Sequence, residues 1–222
     1  MRKFLGIALI ILGIIVLGLY FGAGHLMRKM TDISFLDDLD ATDLEANNQV
    51  AIINDYESVS NVTVMDAYIK LNEVSTEYVI GQIVIPEVNI NLPVSRGTNY
   101  NNLLLGATTM RSDQVMGEGH YPLAGHNMSR KNLLFHGIDS LPDGTDIYLT
   151  NKVDVYRYKV IDRIEIAETD FSWLENDIAD HYDKPTMCIL TCTLPYRSKV
   201  RVIVLATLEE VTPYEGGIKI EN

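Results

Sequence analysis

The sequence predicts an all-β domain with a few short helices, carried behind an N-terminal transmembrane helix and an acidic stalk. Three observations predict it. From Ile80 onward, apolar residues alternate with polar ones at period two, in runs too short for helices. Clusters of Gly, Pro, Asn and Asp separate those runs: RGTNYNN, LPDGTD and TLPYRSK. Residues 4–23, FLGIALIILGIIVLGLYFGA, carry no charge at all.

That apolar run comes first. As a helix it spans about 30 Å, the hydrocarbon thickness of a bilayer. Arg2 and Lys3 precede it, and Arg28 and Lys29 follow, so the α-amine tips the balance towards an N-terminus inside. A cleaved signal peptide has a shorter apolar core of about 7–15 residues. The run therefore reads as an uncleaved signal-anchor over residues 1–24, with Gly22-Ala23-Gly24 as the alternative, a cleavage site. Either way the bulk of the chain lies outside the cytoplasm.

Residues 25–75 read as a stalk. The stretch TDISFLDDLDATDLEANN is acidic and more polar than apolar. Two capping signatures open short helical candidates: Thr42-Asp43-Leu44-Glu45 and Thr63-Val64-Met65-Asp66, the second with Met65, Tyr68 and Ile69 on one face. The segment reads as a packed helix plus tether, with a spacer or regulatory lid as the functional alternative.

The remaining strands come in order within residues 76–222. Ile83 and Ile85 open one that stops at Pro86, and Ile90, Leu92 and Val94 form the next. Others cover 146–149, 155–162, 186–192 and 199–208. Residues 101–107 form a short turn of helix, and Ser172-Trp173-Leu174-Glu175 is a capping box opening a helix towards His181. Many short strands between turn signals read as a sandwich or a barrel. The formal net charge of −12 argues against nucleic acid as the main partner.

Chemistry centres on MCILTCTLPY. Cys188 and Cys192 are the two cysteines of the chain. Four residues of strand span roughly 13 Å, and a disulfide needs Cα atoms within about 7 Å, so they do not pair inside one strand. Either both are small core hydrophobes or one is kept for its reactivity. A thiol nucleophile needs a proton acceptor or a cationic field nearby. His126 follows the small residues Ala124 and Gly125, and His136 serves equally well; His25 flanks the apolar run and His181 ends a helix. Arg201 shares parity with Ile203 and Leu205, whose face reads as inward, whereas Arg197 sits in a turn. A guanidinium at the rim of an apolar face is costly unless something pairs it. The bland alternative is a core thiol, a loop histidine and an edge-strand arginine.

The order of these segments closely resembles the sortases, membrane-anchored cysteine transpeptidases of Gram-positive bacteria. The family signature TLxTC has its counterpart in Cys188-Ile189-Leu190-Thr191-Cys192; Thr191 and Cys192 match, while Cys188 and Ile189 replace the usual threonine and leucine. Leu123-Ala124-Gly125-His126-Asn127 is similar to the segment carrying the family's histidine, and Arg201-Val202-Ile203-Val204 to the strand carrying its arginine. Gly81 to Pro86, then Gly97 with Leu103 to Ala107, resemble the opening strand and the helix region after it.

The resemblance implies an eight-stranded β-barrel. It implies that Cys192 attacks the Thr–Gly carbonyl of an LPxTG-type sorting signal to form a thioester. His126 then acts as general acid and later general base, and Arg201 holds the carbonyl. Thr191 and Ala124 line the site, and the turn from Ile166 to Asp183, with Trp173, forms the pocket for Leu-Pro. Implied partners are LPxTG-type surface proteins, a lipid II-type peptidoglycan-precursor amine, and the membrane through the N-terminal helix. No second apolar span comes after the barrel, which favours the housekeeping class A over the pilus-assembling type, although Cys192-Thr193-Leu194-Pro195-Tyr196 is close to a pilin-type turn. Asp113 and Glu118 are too sparse for a calcium site, so neither metal nor cofactor is expected. A membrane-tethered thiol endopeptidase, and a β-barrel binding protein without catalysis, are the alternatives.

Overall fold

Period-two alternation accounts for six of the eight strands, and the third and fourth join them: β1 (Val79–Ile85), β2 (Ile90–Ser95), β3 (Ala107–Thr109), β4 (His120–Ala124), β5 (Asp146–Thr150), β6 (Asp154–Ala167), β7 (Thr186–Cys192) and β8 (Val200–Pro213). The computed structural model describes residues 6–7, 10–18, 33–52, 54–56, 75–129, 131–194 and 199–218. The strands close into a barrel in the order β1-β2-β3-β4-β7-β8-β6-β5. Two neighbouring pairs are parallel, β2 with β3 and β4 with β7. Parallel neighbours need a crossover. Between β2 and β3 it is helix Tyr100–Leu105, whose cap Asn99 accepts from the Asn102 N–H. Between β4 and β7 it is the long β5–β6 excursion.

The middle strands are buried on both faces. Met187 and Ile189 of β7 join Tyr121 and Leu123 of β4 and Val202 and Val204 of β8 in the main core. The alternate residues Cys188, Ile203 and Leu205 face the other way and are equally buried, under the Trp173 and Ile178 side chains of two 3₁₀ turns, Ser172–Leu174 and Asn176–His181. Arg201 shares this second face. Its parity with Ile203 and Leu205 is as read from the sequence, but the face lies outside the barrel core. A strand covered on both sides is apolar at every position, so alternation alone cannot say which side is the core.

Two capping boxes differ from expectation. Ahead of helix Ala41–Asn48, Asp40 is the cap: its side chain accepts from Thr42 N and Asp43 N, and the Asp43 carboxylate reaches back to Asp40 N. A carboxylate two residues before Thr42 has already taken the free amides. Ser172 opens no box either, because its N–H and hydroxyl both bond to Asp170 Oδ1. The chain from Ser172 to His181 forms the pair of 3₁₀ turns instead of one helix. The helical candidate around 63–69 lies outside the described residues.

Residues 33–56 are tied to the barrel. Leu36 and Leu44 are buried against Val79 and Leu105. Asn47 Nδ2 donates to the Val79 carbonyl at 2.8 Å, and Arg96 donates to Asn48 Oδ1 at 2.8 Å and to the Val50 carbonyl at 3.2 Å. Lys152 Nζ bonds to the carbonyls of Leu36 and Leu39. Within the apolar run at 4–23, residues 6–7 and 10–18 are helical, with Ile10, Ile14 and Leu17 exposed. Among the described residues no helix is long and apolar enough to cross a membrane.

One glycine marks how tightly the end of β4 is held. A Cβ at Gly125 would lie 2.0 Å from the ring of Phe135, which is fully buried. Overpacking of this kind costs about 1–3 kcal/mol. Gly125→Ala is expected to lower the urea midpoint by a corresponding amount without changing the m-value; an unchanged midpoint would mean that Phe135 moves freely.

Candidate active site

Strand β7 runs parallel to β4 through Leu190 and then outlasts it. Its register with β4 ends at Ala124–Leu190, while its antiparallel register with β8 continues to Cys192–Arg201. The thiol and the guanidinium are therefore direct cross-strand neighbours, at the point where β4 leaves the sheet. There the chain continues through Gly125, whose N–H donates to the Leu190 carbonyl at 3.1 Å, and into His126.

Three further bonds hold this corner. Thr191 Oγ1 donates to the Gly125 carbonyl at 2.7 Å. Asn127 Nδ2 donates to the Cys192 carbonyl at 3.1 Å. The Phe135 N–H donates to the His126 carbonyl at 3.1 Å. Backbone on both sides of the histidine and of the cysteine is thus cross-tied. Beyond Cys192, the Leu194 N–H donates to Asp139 Oδ2 at 3.2 Å.

The corner opens into a groove of about 510 Å³. Cys192, His126, Arg201, Thr191 and Ala124 all line it, so five of the six residues singled out from the sequence meet in one place. Trp173 does not line it. Its side chain packs over Cys188, and its carbonyl accepts from His120 Nε2 at 3.0 Å. Its neighbour Phe171, 53% exposed, takes the place on the wall. His136, the alternative to His126, is turned away, with Nδ1 donating to the Met128 carbonyl at 2.7 Å.

Among the lining residues that sequence reading missed, three carry rings or charge: Phe171, Glu168 and Tyr56. Phe171 belongs to the turn that the resemblance assigns to the Leu-Pro pocket, and an aromatic in the polar stretch ETDFS is the one available signal. Glu168, also in that turn, pairs with Arg201 at 3.3 Å. Tyr56 comes from the segment read as a stalk. Its hydroxyl donates to the Met110 carbonyl, and its ring stands 6.5 Å from that of Phe171. Nothing local in IINDYES announces that role.

Burial sets the protonation states. It pushes the Cys192 thiol above its ordinary range; Arg201 pulls it back and Glu168 pushes it up again. Burial also brings His126 down to about 4, and its Nε2 is buried without a hydrogen-bond partner. At neutral pH the free groove therefore holds a neutral thiol and a neutral imidazole. Cys188, fully buried, is pushed up to about 12 and is a core thiol. Among the described residues no cluster of His, Cys, Asp and Glu is placed to hold a metal ion, and Asp113 is engaged by Arg111 at 2.9 Å.

The comparisons with known proteins agree on one family. A family model described as the sortase domain matches residues 83–209. Sortase A of Listeria monocytogenes is 33% identical over 210 residues, covering 95% of this chain and 92% of the relative. The solved structure of sortase A from that organism matches with a TM-score of 0.57 at 41% identity, over 61% of this chain and 90% of that one. The sortase D5 transpeptidase of Clostridium perfringens matches with a TM-score of 0.52 at 25% identity, over 68% of this chain and 91% of that one.

The burial of these groups has two measurable consequences. Alkylation of the folded protein is expected to give a single adduct, on Cys192, at a rate still rising above the pH of an ordinary thiol; an adduct on Cys188 would contradict the buried setting. The second concerns acid. Burial also lowers His120 to about 4, with Thr186 Oγ1 donating to its Nδ1 at 2.7 Å. A histidine depressed in the folded state takes its proton more readily unfolded, so stability is lost as pH falls from about 6.5 towards 4. His120→Gln is expected to flatten that slope in denaturation midpoints measured across this range.

Proposed function

Because the chain belongs to the sortase family of transpeptidases, we propose that it cuts an LPxTG-type sorting signal between Thr and Gly and joins the new carbonyl to an amine of a peptidoglycan precursor. The observation that carries this reading is the meeting of Cys192, His126 and Arg201 in one groove.

The chemistry rests on what each group can do. Cys192 loses its proton and its sulfur attacks the threonine carbonyl carbon. Arg201 donates to the carbonyl oxygen, where negative charge develops. His126, carrying a proton, gives it to the departing glycine amine as the C–N bond breaks. A thioester remains on Cys192. The incoming amine attacks it, His126 takes that amine's proton, and the thiolate leaves. The neutral resting pair must first exchange a proton, thiol to imidazole, against the preference that burial imposes. Substrate that brings its carbonyl to Arg201 and closes the groove to water is what makes the charged pair productive.

The floor of the groove supports an extended apolar guest. Leu103, Met110, Ala124 and Leu190 pack together along it, and Thr191 and Phe171 line it with them. Such a channel suits the Leu-Pro part of a sorting signal better than a charged peptide. Residues 76–222 are proposed as the catalytic domain. Residues 4–23 are proposed as a single-pass anchor in the cell membrane that leaves the domain outside the cell. The apolar length of that run, and its helical stretch at 10–18, support the anchor.

The test mixes the full chain with an LPxTG peptide and an amine and tracks products by mass. An amide-linked transfer product is expected. Cys192→Ala should lower the rate by at least about a thousandfold, and Arg201→Ala by about a hundredfold or more. Free acid in place of the transfer product would mark an endopeptidase. Absence of adduct and cleavage with folded protein, across several motif variants, would overturn the enzyme reading in favour of a binding domain.

A further inference from the structure

Glu168 stands just past the end of β6, in the turn that carries Phe171. Its backbone N–H donates to the Lys199 carbonyl at 3.1 Å, continuing the β6–β8 ladder in which Ile166 faces Arg201. Its carboxylate is thereby brought to the guanidinium from the side opposite Cys192. Glu168 Oε2 accepts from Arg201 Nη2 at 3.3 Å, and Arg201 Nη1 donates to its neighbour's carbonyl, that of Val200, at 3.1 Å. Arg201 is thus flanked on the sheet by Cys192 of β7 and by the end of β6, and the side chains of Cys192, Arg201 and Glu168 line the same groove.

This ion pair adds little to folding. Its side chains are 24% and 37% exposed, and partly exposed pairs of this kind contribute little stability. The place it occupies gives it another use. Among the described titratable groups lining the groove, Tyr56 comes from the N-terminal segment, His126 from the end of β4, Cys192 from β7, Arg201 from β8 and Glu168 from the turn after β6. Burial keeps Tyr56, His126 and Cys192 neutral at physiological pH. Glu168 and Arg201 form the ion pair of this set.

We propose that Glu168 is a positioning residue for the reaction: it holds the Arg201 guanidinium through Nη2 at the rim of the groove and offsets its positive charge at Cys192. The inference rests on the transpeptidase reading above. A guanidinium held at Nη2 has the plane of its fork fixed at the rim of the groove, and its long stem no longer swings into solvent. The carboxylate also opposes the cation's pull on the thiol, so Cys192 stays protonated, and less reactive towards stray electrophiles, until substrate arrives.

The experiment compares the full chain with Glu168→Gln, Glu168→Ala, Arg201→Ala and the Glu168→Ala/Arg201→Ala double variant. The first readout is iodoacetamide alkylation of Cys192 against pH, located by peptide mass. Glu168→Gln removes one negative charge from the groove, across Arg201 from the thiol, and is expected to lower the alkylation midpoint by about half a pH unit. The second is kcat and KM with peptide and amine. Glu168→Ala is expected to lose about tenfold in kcat with KM nearly unchanged, since a displaced catalytic group costs rate. Glu168→Gln should recover most of that loss, because the amide oxygen still accepts from Nη2. In the Arg201→Ala background, removing Glu168 should cost nothing more.

An unmoved alkylation midpoint in Glu168→Gln, together with wild-type kcat in Glu168→Ala, overturns the proposal. So does a loss from Glu168→Ala that persists in full when Arg201 is already gone, which would mark a structural role. If the unaltered chain gives no transfer product, the transpeptidase reading fails by itself. The alkylation midpoint then decides the pairing: a downward shift sustains it and no shift overturns it.

Discussion

The structure depends on the position of β7, which pairs parallel with β4 on one side and antiparallel with β8 on the other. The first ladder brings together stretches of chain that are far apart in sequence, and the second closes a hairpin between consecutive strands. Because β4 stops two residues before β7 does, the last pair of the β7–β8 ladder, Cys192 with Arg201, stands at an open corner. The loop leaving β4 fills the corner with His126. A shift of one residue in either ladder would turn Cys192 towards the core and Thr191 outward, since side chains alternate with period two. The site is therefore protected by the same hydrophobic register that closes the barrel.

Burial and reactivity are in tension at this corner. The cross-ties from Thr191, Asn127 and Phe135 fix the backbone around His126 and Cys192, and the resulting enclosure disfavours charge on both side chains. The enclosure is also what would make a single guanidinium effective, because hydrogen bonds to developing charge gain strength where water is excluded. Cys188 shows the other limit. It shares a face of β7 with Cys192, lies four residues deeper, and is closed over by Trp173. Two thiols on one strand face thus receive opposite fates from depth alone.

The segment at 33–56 belongs to the same physical unit as the barrel. Leu36 and Leu44 are buried against it, and Tyr56 reaches the groove beside Phe171. Its acidic composition is that of a solvated surface, and the few apolar residues of the packed helix expected there are the ones that dock. Low mean hydropathy over a window conceals one or two anchoring side chains, because docking needs only those that meet an apolar hollow on the partner surface.

By itself the sequence determined the local structure: six of the eight strands from alternation and turn residues, and the helix after Asn99. Its motifs also singled out Cys192, His126 and Arg201, through their order along the chain and resemblance to a family. It left out β3, which is three residues long, and β4, where His120 and Pro122 interrupt the apolar pattern. The tertiary structure alone decided which face of β7 and β8 is the core, that Phe171 and not Trp173 forms the wall, and that Tyr56 and Glu168 reach the groove. Alternation and capping act over a few residues, so they can be read locally. Contacts such as Asn127 to Cys192, or Glu168 to Arg201, arise only when distant strands fall into register, and that register is set by the burial of the whole barrel at once.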